Sequence, residues 1–431
     1  MNPHRYSSEH HCIRPSDLDP LARSVIERLS HHGYSAYLVG GGVRDLLLKK
    51  TPKDLDIATD ATPRAIKSLF RNSRIIGRRF KLAQIFFGRE KIFEVSTFRE
   101  LSPLPSVEED VQEGPSSPIL DDNRFGTEET DAYRRDITIN ALYYDPLSST
   151  IIDYVGGIDD MRARLIRIIG DPDVRISEDP VRMIRVVRHA ARSGFGIEES
   201  TAQSVLRNTQ LIHQCTDVRV FDEFRKDVLS GHFLKIVRLL GSMKLLEALL
   251  PAIDVTILEA HTPCSETLER LDDIVQNGES VDLFIPLALL ALFSKAPNGR
   301  EDIEKLGDGS SDVAEYVRSF FSKMAVPRRE RERLTASIQI IHALFTEGVK
   351  GSFSGRQWGA DSLSDADGIL RVLPSSGHDR LFYRLLREAR FYEETEGSHD
   401  GARKRGRSRS RGRRRRNTSG APSSQPSSPS K

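Results

Sequence analysis

Two aspartates separated by one residue, Asp54 and Asp56 in Pro52-Lys53-Asp54-Leu55-Asp56-Ile57, are the side chains best suited to do chemistry. On a strand, alternate residues point to one face, so the two carboxylates stand side by side. They repel unless a cation lies between them. Hard oxygen ligands with room left for phosphate oxygens suit Mg²⁺. Two ions held this way activate an attacking hydroxyl and stabilise a leaving pyrophosphate. Just upstream runs Gly40-Gly41-Gly42-Val43-Arg44-Asp45. A glycine turn between a strand and a helix presents backbone N–H groups to an anion. The dinucleotide-binding pattern fails because Asp45 stands where glycine is needed, and the P-loop ending Gly-Lys-Ser/Thr is absent. Arg44 instead is placed to hold a triphosphate. Either element alone is common; the conjunction is specific.

A carboxylate pair usually needs a third member. Glu94, on a strand that could lie beside the first, and Asp136 are the two candidates, and spacing does not choose between them. Arg99, at the end of the Glu94 strand, is a second candidate phosphate clamp. Further on, Glu178-Asp179-Pro180-Val181-Arg182-Met183-Ile184-Arg185 reads as the start of a helix. Three residues apart, Asp179 and Arg182 would share a face and offer an acceptor beside a forked donor. That pair matches an amino group next to a ring nitrogen, as on the pairing edge of adenine or cytosine, and repels guanine and uracil.

The elements that must position these groups follow from periodicity. Asp17 is the expected cap of a helix over 18–32, with Leu21, Val25, Ile26 and Leu29 on one face. Ala36–Val39 reads as a buried strand, and a helix opens at Val43. Thr62-Pro63 starts a helix to about Phe70. Strands are expected at Arg74–Ile76, Leu82–Phe87, Ile92–Thr97 and Thr150–Tyr154, with a turn at Gly88-Arg89-Glu90. The acidic, Pro- and Gly-bearing stretch Ser102–Thr130 reads as a surface loop. Beyond Ile176 strand signals fade and helical spacing takes over. The outline is an α+β chain: an N-terminal arm (1–17), a mixed-sheet head (18–160), a helical neck (161–235), a helical body and tail (236–397), and a basic C-terminus (398–431).

Charge is unevenly spread over the 431 residues. From Ser398 on there are eleven Lys/Arg against one Asp, a tail of +10 on a remainder of about −8. Arg403, Lys404, Arg405 and the unbroken run Arg413, Arg414, Arg415 and Arg416 carry most of it. With Ser, Pro and Gly between them, these residues bury no core, and disorder with affinity for a polyanion, RNA above all, is expected. Three cysteines without a CxxC pair indicate neither disulfides nor a structural zinc. The apolar run Leu283–Phe293 is too short to span a bilayer, and Met1–Pro15 lacks a secretory core. The expectation is a cytoplasmic monomer with no membrane partner.

Together these segments resemble the class II nucleotidyltransferases of the polymerase-β superfamily, the bacterial poly(A) polymerases and tRNA CCA-adding enzymes. Leu38–Asp45 with Asp54 and Asp56 is similar to the family's first motif and metal pair. Arg134-Arg135-Asp136-Ile137-Thr138-Ile139-Asn140-Ala141-Leu142 resembles its RRDxTxNAL motif. Asp153-Tyr154-Val155-Gly156-Gly157 with Asp160 resembles its DxxGGxxD hinge, and Glu178–Arg185 its nucleotide-selecting EDxxRxxR. The resemblance implies a seahorse fold of head, neck, body and tail. It implies a catalytic triad of Asp54, Asp56 and Asp136, with Glu94 second to Asp136, and Mg²⁺ on Asp54 and Asp56. Gly41, Gly42, Arg44 and Arg99 would meet the triphosphate, Arg135 and Asn140 the nucleotide, and Asp179, Arg182 and Arg185 the base. Gly77-Arg78-Arg79-Phe80-Lys81-Leu82-Ala83-Gln84-Ile85 is similar to the poly(A) polymerase signature, although Gln84 stands where His is usual. With the basic tail, this implies a template-independent polynucleotide adenylyltransferase that adds AMP from ATP to RNA 3′ ends, in the company of RNA-decay machinery. The alternatives are CCA addition to tRNA and, in another class, a non-catalytic RNA-binding protein.

Overall fold

The computed structural model describes residues 2–77, 81–88, 91–100, 125–295, 310–346 and 360–373. Arg78, Arg79 and Phe80 of the poly(A) polymerase-like signature, most of the acidic 102–130 stretch and the basic residues from Arg403 to Arg416 lie outside them. The chain divides into two compact units, Met1–Pro286 with Arg318–Pro327, and Leu287–Val317 with Arg328–Lys431.

The first unit starts with β1 (His4–Tyr6), α1 (Pro20–His31), β2 (Ala36–Val39), α2 (Gly41–Leu47), β3 (Asp56–Thr59), α3 (Pro63–Leu69), β4 (Ser73–Ile76), β5 (Leu82–Phe87), β6 (Lys91–Thr97), α4 (Glu128–Tyr133), β7 (Leu142–Asp145) and β8 (Thr150–Asp153). The eight strands form one sheet in the order β1-β8-β7-β2-β3-β6-β5-β4. Only β3 and β6 pair in parallel. Both faces are covered. Leu38, Ile57, Tyr144 and Ile151 pack with Val25, Ile26 and Leu29 of α1, while their chain neighbours Val39, Ala58, Tyr143 and Ile152 pack with Phe98 and Ala132. Two-sided burial turns the strands into continuous apolar runs. Each buried Ile or Leu side chain contributes about 2 kcal/mol.

Several local expectations are corrected. Asp19, not Asp17, caps α1, accepting from Leu21 N at 2.8 Å, because Pro20 occupies the first helical position. Asp17 instead accepts from Arg14 N within a preceding 3₁₀ turn. Helix α2 begins at Gly41, and Gly40, at φ +71°, makes the turn that only glycine adopts easily. Strand β3 begins at Asp56, so Asp54 lies in the irregular segment before it. The acidic loop ends before Thr130, because Thr127 caps α4 by accepting from Thr130 N. Strands β1 and β7 were not foreseen: β1 has three residues, and β7 is a buried four-residue strand without polar alternation.

Beyond β8 come α5 (Gly157–Ala163), β9 (Leu165–Ile166), α6 (Pro172–Glu178), α7 (Arg182–Ser193), β10 (Gly196–Ile197), α8 (Glu199–Asn208), α9 (Asp217–Val228), α10 (Phe233–Ser242), α11 (Leu245–Leu249) and α12 (Pro263–Gln276). Apart from the small parallel pair β9–β10, this part is helical as its periodicity implies. The passage from sheet to helices is tightly tied. Asp153, fully buried, accepts from the N–H groups of Val155, Gly156, Gly157 and Ile158 at 2.9–3.0 Å. A Cβ on Gly157 would come within 2.4 Å of Thr138 O, so no larger residue fits there. In the second unit, Leu287–Phe293 are buried within the helix Phe284–Lys295, as the apolar run implies. Helices Arg328–Thr346 and Ala360–Val372 pack together, with Arg333 Nη2 donating to Asp365 Oδ1 at 2.7 Å. Among the described residues no helix is long and apolar enough to cross a membrane.

Candidate active site

The register of the parallel pair sets Ile57 opposite Val95, which puts Asp56 beside Glu94 on the same face of the sheet. In β5, Gln84 faces Glu94 and its Nε2–H donates to Glu94 Oε1 at 3.0 Å. Asp54 joins them from the approach to β3. Its carbonyl oxygen presses on α2, where a Cβ on Gly42 would lie 3.3 Å from it. Gly42 is buried, so its visible role is to let α2 approach the Asp54 backbone. Solvent reaches Asp56, but surrounding protein removes part of its hydration. That burial, then the charges of Glu94 and Asp54, raise its carboxyl pKa, against the opposing pull of Arg135.

Arg44 reaches across from α2. Its Nε and Nη2 donate to Asp45 Oδ1 at 2.9 and 2.7 Å, and its Nη1 donates to Asn140 Oδ1 at 2.8 Å. The same Nη1 lies 3.2 Å from His189 Nδ1. Gly41 leaves room for this guanidinium, since a Cβ there would lie 3.4 Å from Arg44 Nη2.

Arg135 is turned inward. It donates to Asp131 Oδ2 from Nη2 at 2.9 Å and to Asn140 O from Nη1 at 3.3 Å, and it stacks over Tyr143. Asp131 also accepts from Arg134 Nε at 2.7 Å, Tyr143 OH at 2.7 Å and Arg99 N at 3.2 Å. Burial works to raise the Asp131 carboxyl, but Arg135 and Arg134 outweigh it and hold the pKa below the usual range. Arg99 is anchored to this cluster through its backbone.

The Glu178–Arg185 segment departs from expectation. Glu178 ends α6, Asp179 is extended at φ −152°, and α7 begins only at Arg182. Asp179 and Arg182 are therefore not helical neighbours three apart, and their side chains do not pair. Asp179 Oδ2 accepts from Arg219 Nη2 at 2.7 Å, while its Oδ1 is buried without a partner. Arg182 donates from Nε to Asp136 Oδ1 at 2.8 Å and from Nη1 to Glu178 Oε2 at 3.1 Å. Arg185 Nη1 takes Asp136 Oδ2 at 2.6 Å, and Arg185 Nη2 takes Glu223 Oε1 at 2.7 Å. Arg188 Nη1 then donates to Glu223 Oε2 at 2.8 Å, and its Nε pairs with Asp227. Both oxygens of Asp136 are thus committed to arginines. Against burial, Arg185 and Arg182 keep its pKa low. Against burial too, Arg185 and Arg188 bring Glu223 down to about 2. For Asp227 burial wins over Arg188, and its pKa rises to about 6.

Sequence reasoning missed Asp45, Asp131, His189, Glu223 and Asp227. One signal was available. Arg185 and Arg188 repeat at helical spacing on α7, and Glu223 and Asp227 repeat at helical spacing on α9.

Asp54, Asp56 and Glu94 suit a divalent ion by chemistry. Among the described residues no three acidic, His or Cys side chains close into a metal cage. Magnesium seldom uses one; it takes one or two carboxylates and completes its shell with phosphate oxygens and water.

Comparison with known proteins agrees with this arrangement. Residues 36–167 match the family model "Poly A polymerase head domain", and residues 194–257 match "Probable RNA and SrmB- binding site of polymerase A". The chain is 46% identical over 265 residues to Poly(A) polymerase I of Escherichia coli O157:H7, covering 61% of this chain and 57% of that protein. It is 42% identical over 332 residues to Poly(A) polymerase I of Haemophilus influenzae, covering 74% of this chain and 72% of that one. This chain therefore spans little more than half the length of the first of these relatives. In fold it is similar to the Bacillus stearothermophilus CCA-adding enzyme solved in complex with CTP, with a TM-score of 0.56 and 23% identity over 86% of this chain and 83% of that one.

Proposed function

Because this chain belongs to the poly(A) polymerase family, we propose that it is a template-independent nucleotidyltransferase that adds AMP from ATP to RNA 3′ ends. The observation that carries the reading is the register that sets Asp56 beside Glu94, with Asp54 adjacent and, among the described residues, Arg135 as the main opposing charge on Asp56. Asp54 and Asp56 would hold Mg²⁺, with Glu94 as the third carboxylate, and Asp136 would act as an anchor for Arg182 and Arg185. Bound there, Mg²⁺ would acidify the RNA 3′-hydroxyl and offset charge on the departing pyrophosphate. The 3′-oxygen attacks the α-phosphorus in line, the bond to the β-phosphate breaks, and the hydroxyl proton leaves with solvent. Arg44 and Asn140 orient the triphosphate.

Base choice rests on two groups. Asp179 Oδ1 is a buried acceptor without a partner, and Arg182 Nη2 makes no hydrogen bond among the described residues. One acceptor and one donor turned to a base edge would suit adenine and equally cytosine, and would reject guanine and uracil. The base edge alone therefore leaves CTP admissible. The preference for ATP rests on the poly(A) polymerase relatives. The basic residues Arg403–Arg416 would give sequence-blind grip on RNA phosphates.

The test is primer extension with Mg²⁺ and either ATP or CTP, on an unstructured RNA and on a tRNA lacking its terminal CCA. Long ladders on the unstructured RNA with ATP alone are expected. Addition confined to CCA on the tRNA would make this a CCA-adding enzyme. Extension of neither would favour a non-catalytic RNA-binding protein.

A further inference from the structure

His189 belongs neither to the carboxylate group nor to the base-reading pair; it links α7, which carries Arg182, to Arg44 and Asn140. It lies one turn beyond Arg185 on α7. Its Nδ1 is 3.2 Å from Arg44 Nη1, its Nε2 is 3.2 Å from Asn140 Nδ2, and Arg44 Nη1 also donates to Asn140 Oδ1 at 2.8 Å. The three side chains close a triangle with more donors than acceptors. A guanidinium only donates, a neutral imidazole has one donor and one acceptor, and the amide adds a single acceptor oxygen. If Nδ1 accepts from Arg44, then Nε2 carries the proton and faces the amide NH₂. Turning the amide over satisfies Nε2–H but sets the amide nitrogen against Arg44. The other tautomer lets Nε2 accept from the amide but sets Nδ1–H against Arg44, so every arrangement leaves two donors face to face.

The ring is kept neutral. Burial, then the charges of Arg44 on α2 and of Arg188 and Arg192 on α7, push its pKa well below the usual histidine range, against a smaller opposing effect of Asp136. A proton on the ring would add one more surplus donor. The missing partner is an acceptor with spare lone pairs, which is what a triphosphate oxygen supplies.

We propose that His189 is a positioning residue for nucleotide binding, which holds Arg44 and Asn140 so that their surplus N–H meets a triphosphate oxygen. The inference rests on the nucleotidyltransferase reading and deepens it. It also gives α7, whose first turn carries Arg182, a direct bond to the triphosphate-holding arginine.

The test compares His189→Phe, which keeps bulk and removes the acceptor, with His189→Gln, which keeps an acceptor and donors. Steady-state AMP incorporation is measured against ATP and RNA primer separately, together with thermal melting. In His189→Phe the KM for ATP should rise about tenfold, the scale of one hydrogen bond to a charged group. Its kcat, KM for RNA and melting temperature should stay near wild type. His189→Gln should recover most of the shift. In an Asn140→Ala background His189→Phe should add little. Should His189→Phe not fold, His189→Leu, which likewise has no acceptor, carries the same expectation. An unmoved KM for ATP in an active enzyme overturns the proposal alone. So does a joint rise of both KM values with lowered melting and no rescue by Gln, which marks a packing role. A wild-type protein that incorporates no AMP overturns the nucleotidyltransferase reading and this inference with it.

Discussion

Asp56 and Glu94 stand on adjacent strands, and among the described residues the leading charges on Asp56 are the negative Glu94 and Asp54, opposed by Arg135. Asp136, Glu223 and Asp227, in contrast, each meet at least one arginine of α7 within hydrogen-bonding distance. The first group lies at the start of β3 and along β6, within reach of solvent, and among the described residues no salt bridge holds it. The second is largely buried and nearly complete in itself, Asp227 Oδ2 being left over. Carboxylates left without a counter-charge repel one another, which is what suits them to the cation proposed above. A compensated network has little affinity left for a metal, and its value lies in holding side chains still. Acidic residues that are alike in sequence thus meet opposite surroundings.

The sharpest way to break this comparison is to remove one carboxylate from the uncompensated group. Asp54→Ala or Asp56→Ala should cut AMP transfer about a thousandfold or more, since several kcal/mol of charge stabilisation are lost. Thermal melting should stay level or rise slightly, because a repulsion is relieved. Retained extension activity in either variant would sink the metal assignment.

In the compensated network the loss should fall on stability instead. Glu223→Ala leaves Arg185 and Arg188 partly unpaired, and urea unfolding should show a loss of about 3–5 kcal/mol, as for a broken buried ion pair. A loss below 1 kcal/mol would mean that the network is not the anchor described here.

Glu94 and Asp136 sharpen the contrast directly. Glu94→Gln should lower kcat while leaving melting unchanged. Asp136→Asn should cost about 2 kcal/mol of stability and weaken discrimination of ATP from UTP. The opposite pattern would restore Asp136 as the third catalytic carboxylate.

The smallest expected effect is on pH dependence. Glu223 has its carboxyl held at about 2, below the ordinary 4.5. Its contribution is present above the ordinary value and is lost as pH falls from there toward about 2. Acid unfolding of Glu223→Gln should therefore be shallower across that window than that of wild type, and identical acid curves would count against the pairing.

Much of the site was legible in the chain. Arg44, Asp54 and Asp56 are close enough along the backbone for strand and helix geometry to group them, and Arg134 to Asn140 form a second local motif, but the meeting of Arg44 with Asn140, 96 positions away, is a tertiary contact. Glu94 was legible as a candidate, since a strand carries it. Proposing it over Asp136 rests on the register of β3 against β6, which no local pattern encodes. The helical pairing of Asp179 with Arg182 failed because Pro180 lies between two helices, and an extended Asp179 separates them. Glu223 and Asp227 lie 35 or more positions from the arginines they hold.

By itself, the sequence determined which residues are acidic, which form apolar runs or helical stripes, and where glycine and proline interrupt the backbone. Those properties are local, and they fixed a mixed sheet followed by helices with paired carboxylates near a glycine turn. Only the tertiary structure decided which carboxylates were left uncompensated and which were neutralised. That depends on the distance from each carboxylate to a guanidinium, because charge interaction falls with separation and grows with burial. Both are set when α7 packs beside α9 and β3 pairs with β6, contacts between segments that are remote in the chain.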